Sequence, residues 1–177
     1  PEELAADWLA ECGSLAAATG RAHHANARPP VVLRVNARRA TVAGVVERLA
    51  AEGVDATAHV NGRSVVLLSP ADVTRLGAFA EGWVQPQDAA ATAVVADAPI
   101  EPGMRVLDLC AAPGTKTTHL AERMDGRGQI VAVDVSRRKL DRVEENCLRM
   151  GADLVRTTLA DRIGGEMNRP FDLVLVD

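Results

Sequence analysis

Tyrosine is absent from the 177 residues, and phenylalanine and tryptophan supply two residues each. Trp8, Trp83, Phe79 and Phe171 are scattered, which excludes a run of rings on which nucleic-acid bases stack in series. Cys12, Cys110 and Cys147 are too few and too widely spaced for a disulfide framework or a zinc site. A reducing cytoplasm is the expected compartment, and no metal is expected. No apolar run approaches the roughly 18 residues of a membrane span, and no basic-then-apolar leader opens the sequence, so no membrane partner is expected. Positive charge is not in excess either. Twenty Lys and Arg face 24 Asp and Glu, a net charge of −4, which argues against a generic polyanion binder.

What is present is enough for a buried core: 47% of residues are hydrophobic and 25% are charged. The length suits one domain or two small ones. Arginine supplies most of the cations, and Arg28, Arg34, Arg38 and Arg39 crowd into one short stretch.

The first 18 or so residues read as a helix, with Leu4, Trp8 and Leu15 on one face and Glu2, Glu3 and Asp7 in its early turns, where the helix dipole favours acids. Residues 20–30 (GRAHHANARPP) read as a loop, with His23 and His24 in it. A strand follows at 31–36 and a helix at 41–52. Short strands near 56–60 and 64–68 flank the hairpin-type pair Asn61-Gly62. Short helices are expected at 71–80 and 88–96, the second capped by Asp88. Residues 1–98 therefore read as an N-terminal helix plus a small α+β unit, ending near Pro99 and Pro102.

From Arg105 the pattern becomes strict strand–helix alternation. Strands are expected at 105–110, 129–135, 154–158 and 171–177, with helices at 115–123 and 136–150. Apolar strands separated by helices indicate a parallel α/β sheet covered on both faces, which makes residues 99–177 a second domain.

The stretch VLDLCAAPGTKTTHL, Val106 to Leu120, runs from a strand through a small-residue loop into a helix. Ala111, Ala112 and Gly114 carry almost no side chain, so a ligand can approach the main chain closely. The helix N-terminus faces the crevice beyond the strand ends, where open α/β sheets bind ligands. Twenty residues after Gly114, Asp134 ends the next strand and is placed to accept hydrogen bonds from a ribose diol. Asp161 and Asp177 follow the third and fourth strands, so with Asp108 four successive strand ends bring acids or loops to one edge. The loop carries neither the G-x-G-x-x-G of nicotinamide enzymes nor the glycine spacing of a phosphate loop. One glycine among amide-rich small residues suits a ligand less anionic than a pyrophosphate, such as S-adenosylmethionine.

DLCAAPGTKTTHL, VAVDVSRRKLDRVEENCLRMG and FDLVLVD together resemble the RNA (cytosine-C5) methyltransferases of the bacterial Sun/Fmu group, and RPPVVLRVN and GAFAEGWVQPQDAAA are similar to N-terminal segments of those enzymes. The resemblance runs from about Pro29 to the end. It implies a partial class I, Rossmann-like methyltransferase sheet preceded by a small α+β unit of RNA-binding type, with S-adenosylmethionine as cofactor and RNA, 16S ribosomal RNA above all, as substrate. Carried over by position, Cys110, Ala111, Ala112, Pro113, Gly114, Thr115 and Lys116 form the cofactor loop. Asp134 holds the ribose hydroxyls, Asp161 lies on the adenine side, and Asp177 stands beside the methyl donor and target base. Thr115 departs from the family's second glycine, which threonine replaces without strain if it already begins the helix.

In the family a Pro-Cys follows the position of Asp177, and a later Thr-Cys supplies the thiolate that adds to C6 of cytosine. The expectation is that this chain holds the cofactor half of the fold, that no catalytic residue lies within it, and that alone it transfers no methyl group. Arg28, Arg34, Arg38 and Arg39 are the expected RNA contacts, with Arg34 and Asn36 on an open strand face. Two other readings remain open: a non-catalytic cofactor- or RNA-binding module, and a nucleotide-dependent oxidoreductase, against which the missing glycine fingerprint speaks.

Overall fold

The computed structural model describes residues 2–27 and 29–177. They fall into two compact units, divided after Pro30.

The first unit is a helical hairpin of α1 (Glu2–Cys12) and α2 (Leu15–Asn26). The single helix expected to run to about residue 18 is broken at Gly13, whose φ of +69° ends α1. Ser14 then caps α2, its hydroxyl accepting from the amide of Ala17 at 3.2 Å. Much of the expected loop at 20–30 is helical, so His23 and His24 lie in the last turn of α2. The alanines around them favour helix more than Gly20 opposes it. The Arg21 guanidinium lies 5.1 Å from the Trp8 ring centroid.

The second unit runs from Val31 to Asp177 and contains two sheets. The first is antiparallel, in the order β2 (Ala56–Ala58), β3 (Ser64–Leu67), β1 (Val32–Val35), β4 (Val84–Pro86). The last of these strands has no counterpart in the sequence reading. Helix α3 (Val42–Ala51), capped by Thr41, lays Val45 and Leu49 against Leu33, Val35, Val65 and Val84 to form one core. A short 3-10 turn (Val73–Arg75), α4 (Gly77–Ala80) and α5 (Ala89–Asp97) complete this half; the Asp88 carboxylate caps α5 through the amide of Ala91.

The second sheet is parallel, ordered β7 (Val155–Leu159), β6 (Gln129–Asp134), β5 (Arg105–Asp108), β8 (Leu173–Leu175). Helices α6 (Thr115–Arg123) and α7 (Arg137–Met150) pack Leu120, Met124, Leu140 and Val143 against Val106, Ile130 and Ala132. Among the described residues no long helix covers the opposite face. Leu107, Val131 and Val133 are closed there by Leu109, Ile163, Phe171 and the 3-10 segment Ala160–Glu166. The chain reverses its direction of strand addition between β5 and β8, which sets a crevice at their carboxyl ends.

The remaining face of the first sheet is not open. Arg34, expected on a solvent-facing stripe for RNA, is 0% exposed. Its guanidinium pairs with Glu122 of α6, and it also donates to Gln87 Oε1 at 2.7 Å and Thr118 Oγ1 at 3.2 Å. Asn36, on the same stripe, donates from Nδ2 to the carbonyls of Gly82 and Met150, both at 3.1 Å. Strand alternation put Arg34 and Asn36 on one side correctly, but α6 and α7 of the parallel-sheet half cover that side. A polar interface thus joins the two sheets into one unit. Burial pushes the Glu122 carboxyl above the usual range while Arg34 pulls it back.

Candidate cofactor site

Strand β5 ends at Asp108, and residues 109–114 turn the chain into α6. Asp108 is buried and accepts from Thr117 Oγ1 at 2.7 Å, tying the strand tip to the first turn of the helix. Burial pushes the Asp108 carboxyl up, against the Thr117 hydrogen bond, the Lys116 charge and the Cys110 amide. The Ala111 amide donates to Val133 O at 2.9 Å, and Asn146 Nδ2 of α7 donates to Pro113 O at 2.8 Å. The loop is therefore pinned from β6 and from α7.

Gly114 stands at the N-cap of α6 with φ of +96°, and a Cβ built there would lie 3.2 Å from the Cα of Val143. Both the left-handed conformation and the approach of α7 require glycine. Thr115 is the first residue of α6, so the threonine in place of a second glycine carries no strain. Gly114→Ala should cost about 1–3 kcal/mol from the backbone conformation alone, measured as a lower urea midpoint; an unchanged midpoint would show the turn to be tolerant.

A cavity of about 370 Å³ opens at the strand ends, lined by Leu109, Cys110, Ala112, Asp134, Val135, Lys139 and Asp177. Its size lies in the range of small-molecule sites. Four of the residues named from sequence, Cys110, Ala112, Asp134 and Asp177, meet there. Asp134 is 8% exposed; its Oδ1 accepts from the Ser136 amide at 3.2 Å and lies 3.8 Å from Lys139 Nζ. Lys116, itself outside the lining, pairs with Asp177. Ala111, Pro113, Gly114 and Thr115, also named from sequence, belong to the turn into α6 but not to the lining. Asp161, in contrast, is exposed in the first turn of the 3-10 segment and is not part of the lining.

Sequence reasoning missed Lys139 and Asn146. Asn146 shares a helical stripe with Val143, Cys147 and Met150, and that periodicity was the available signal for its facing the loop. Among the arginines, Arg28 lies outside the described residues. Arg38 is exposed, 3.9 Å from Asp125. Arg39 donates from Nη1 to the carbonyls of Glu81 at 2.6 Å and Arg149 at 2.7 Å.

The buried Cys147 is not built as an attacking thiolate. Burial, Glu144 and Asp108 push the Cys147 thiol up to about 12. Cys110 is exposed at the cofactor cavity wall. Among the described residues no group of three or more His, Cys, Asp and Glu side chains is arranged for a metal ion, and no helix is long and apolar enough to cross a membrane.

The residues present fit an adenosine cofactor: a small-residue loop, a helix N-terminus with orphan amides, and a nearly buried acid across a cavity of the right size. Comparison with known proteins agrees. Residues 96–177 match the 16S rRNA methyltransferase RsmB/F family, and residues 1–74 match the RsmF/B-like methyltransferase ferredoxin-like domain. Ribosomal RNA small subunit methyltransferase B of Pseudomonas putida is 40% identical over 155 residues, 86% of this chain and 36% of that protein. The enzyme of that name from Pseudomonas syringae pv. tomato is 37% identical over 177 residues, 98% of this chain and 38% of its own. The chain thus spans just over a third of the length of these curated relatives. A methyltransferase homologue from Pyrococcus horikoshii superposes with a TM-score of 0.76 at 28% identity, over 97% of this chain and 61% of that one. NSun6 from the same organism, solved with SFG, superposes with a TM-score of 0.81 over 100% of this chain and 70% of that one; at 18% identity it shows the shared fold.

Proposed function

The chain belongs to the RsmB/F family of 16S rRNA methyltransferases, and on that premise we propose that it carries the cofactor-binding part of an S-adenosylmethionine-dependent RNA (cytosine-C5) methyltransferase acting on 16S ribosomal RNA in the cytoplasm. The observation that carries this reading is the meeting of Cys110, Ala112, Asp134 and Asp177 around one cavity at the switch point of the parallel sheet.

S-adenosylmethionine supplies an electrophilic methyl group on a sulfonium sulfur. The residues of this chain bind and orient it. Asp134 accepts from the ribose hydroxyls, and its low exposure strengthens those bonds. Residues 110–114 offer main chain without bulk, held rigid by Asn146 and Val133. Lys116 holds Asp177 at the rim, where the target base, taken out of any stack, would enter. Asp161 is proposed to border the adenine side from outside the cavity wall. Arg38 and Arg39 are proposed to contact RNA phosphates. The attacking thiol is assigned to none of Cys12, Cys110 and Cys147, so the 177-residue chain by itself is expected to methylate no cytosine.

Asp134→Ala tests the site. Removing a carboxylate that accepts from the ribose should weaken S-adenosylhomocysteine binding by about 10–100-fold, the worth of one charge-assisted hydrogen bond. The check is ligand-induced thermal stabilisation, which shrinks with falling affinity. Equal stabilisation of wild type and variant would remove Asp134 from the site.

A further inference from the structure

A second cavity, of about 470 Å³, lies between residues 34–42, the hairpin tip at Gly62 and Arg63, and the last turns of α6. It shares no lining residue with the cofactor cavity. Four guanidiniums line it, those of Arg34, Arg38, Arg63 and Arg123, against one carboxylate, Glu122. In a chain of net charge −4 this is a local excess of positive charge.

The four cations are not equally committed. Arg34 is spent on Glu122, Gln87 and Thr118. Arg123 gives Nη1 to the carbonyls of Val95, Ala96 and Ala98, at 2.6, 2.7 and 2.9 Å. Those dipoles hold the guanidinium in place without cancelling its charge. Arg38 has a loose, solvated partner in Asp125 at 3.9 Å. Arg63 is exposed, and among the described residues neither it nor Arg123 meets a carboxylate within ion-pair distance. His119, 3% exposed, lines the same cavity, and among the described residues its Nδ1 has no hydrogen-bond partner. Burial and the charges of Arg34, Arg123 and Arg63 push its pKa down to about 3, so the imidazole is neutral and adds no charge of its own.

We propose that this crevice is a phosphate-binding site that seats one backbone phosphodiester of the RNA substrate on Arg63, Arg38 and Arg123. The assignment rests on the RNA methyltransferase reading above. Guanidinium forks match phosphate oxygens two at a time. The cavity is concave and carries four arginines and no Phe, Tyr or Trp, so it is suited to holding a backbone group and not to stacking a base. Such a contact sets the position of the RNA on the protein and reads no sequence. Free phosphate shares the same chemistry, and the test separates the two sources.

The test is fluorescence anisotropy of a labelled single-stranded RNA of about ten nucleotides, followed from about 50 to 200 mM salt, with the whole chain. Wild type, Arg63→Gln, Arg38→Gln/Arg63→Gln and the control Arg142→Gln are compared; Arg142 is exposed on α7, away from the crevice. Each lost phosphate contact should reduce the slope of log affinity against log salt by about 0.7, and Arg142→Gln should match wild type. Inorganic phosphate should weaken RNA binding by wild type more than by the double variant. Equal slopes in wild type and the double variant would overturn the proposal, as would an equal loss in Arg142→Gln. Arg63-dependent binding of inorganic phosphate by a chain indifferent to RNA would overturn the phosphodiester assignment in favour of a free anion. S-adenosylhomocysteine binding, titrated alongside, should be the same in all four proteins. Its retention beside unchanged slopes would sink the crevice and leave the methyltransferase reading intact, whereas its absence in wild type would count against that reading.

Discussion

Arg34→Met should lower the stability of the chain by about 3–5 kcal/mol, the cost of leaving one member of a buried ion pair alone. For a unit of this size that corresponds to a fall of about 10 °C in the thermal midpoint. The reason is specific to the interface. Arg34 is fully buried, Glu122 is 11% exposed, and the guanidinium also satisfies Gln87 Oε1 and Thr118 Oγ1. Methionine fills much of the same volume but gives none of them a donor. The Ala37 amide, which donates to Glu122 Oε1 at 2.9 Å, then remains with a carboxylate that has lost its counter-charge. Arg34→Met/Glu122→Met should recover most of the loss, because removing both charges removes the desolvation penalty with them. Calorimetric melts of the two variants decide the matter. A single variant as stable as wild type would mean that the pair does not join the sheets, and a double variant no better than the single would place the cost in packing.

The second large effect is an acid-side loss of stability traced to His119. Its folded-state pKa is pushed down to about 3, by burial first and then by Arg34, Arg123 and Arg63. A group depressed in this way contributes stability that is present above its unfolded pKa near 6.5 and is lost as pH falls from there toward 3. Each unit in that window is worth about 1.4 kcal/mol, so by pH 4 the loss is about 3 kcal/mol. Asp108 and Glu122 act in the opposite sense. Burial raises both, so their contribution is fully present below the unfolded carboxylate range and lost as pH rises through their folded values. The comparison with His119→Met cancels much of that opposing trend. Urea unfolding of both proteins at pH 7 and pH 4 should show wild type losing about 3 kcal/mol more than the variant; parallel losses would mean that His119 is solvated or partnered in solution.

The parallel sheet was legible in the sequence because its strands are short apolar runs and its helices carry clear stripes. All four strands and both helices from Arg105 onward lie within two residues of expectation. The turn from β5 into α6 was legible for a related reason: Ala111, Ala112 and Gly114 between a strand and a helix signal close approach, and at Gly114 it is Val143 of α7 that approaches. Much of what failed depends on a partner element. Alternation placed Arg34 and Asn36 on one face but could not say that α6 and α7 cover it. Strand β4 was missed because Val84–Pro86 is only three residues long and is defined by pairing with β1. The first helix was drawn too long because the apolar spacing continues across Gly13-Ser14, where a glycine stop and a serine cap were the stronger signal. Counting strand ends could not show that Asp161 sits in the 3-10 segment after β7, exposed and outside the cavity lining.

The cavity formed by Cys110, Ala112, Asp134 and Asp177 is proposed to take S-adenosylmethionine. Parallel calorimetric titrations of the wild-type chain with S-adenosylmethionine and with NAD test it most directly. Saturable one-to-one heat with S-adenosylmethionine and none with NAD is the expected result; heat with NAD alone would contradict S-adenosylmethionine as the ligand.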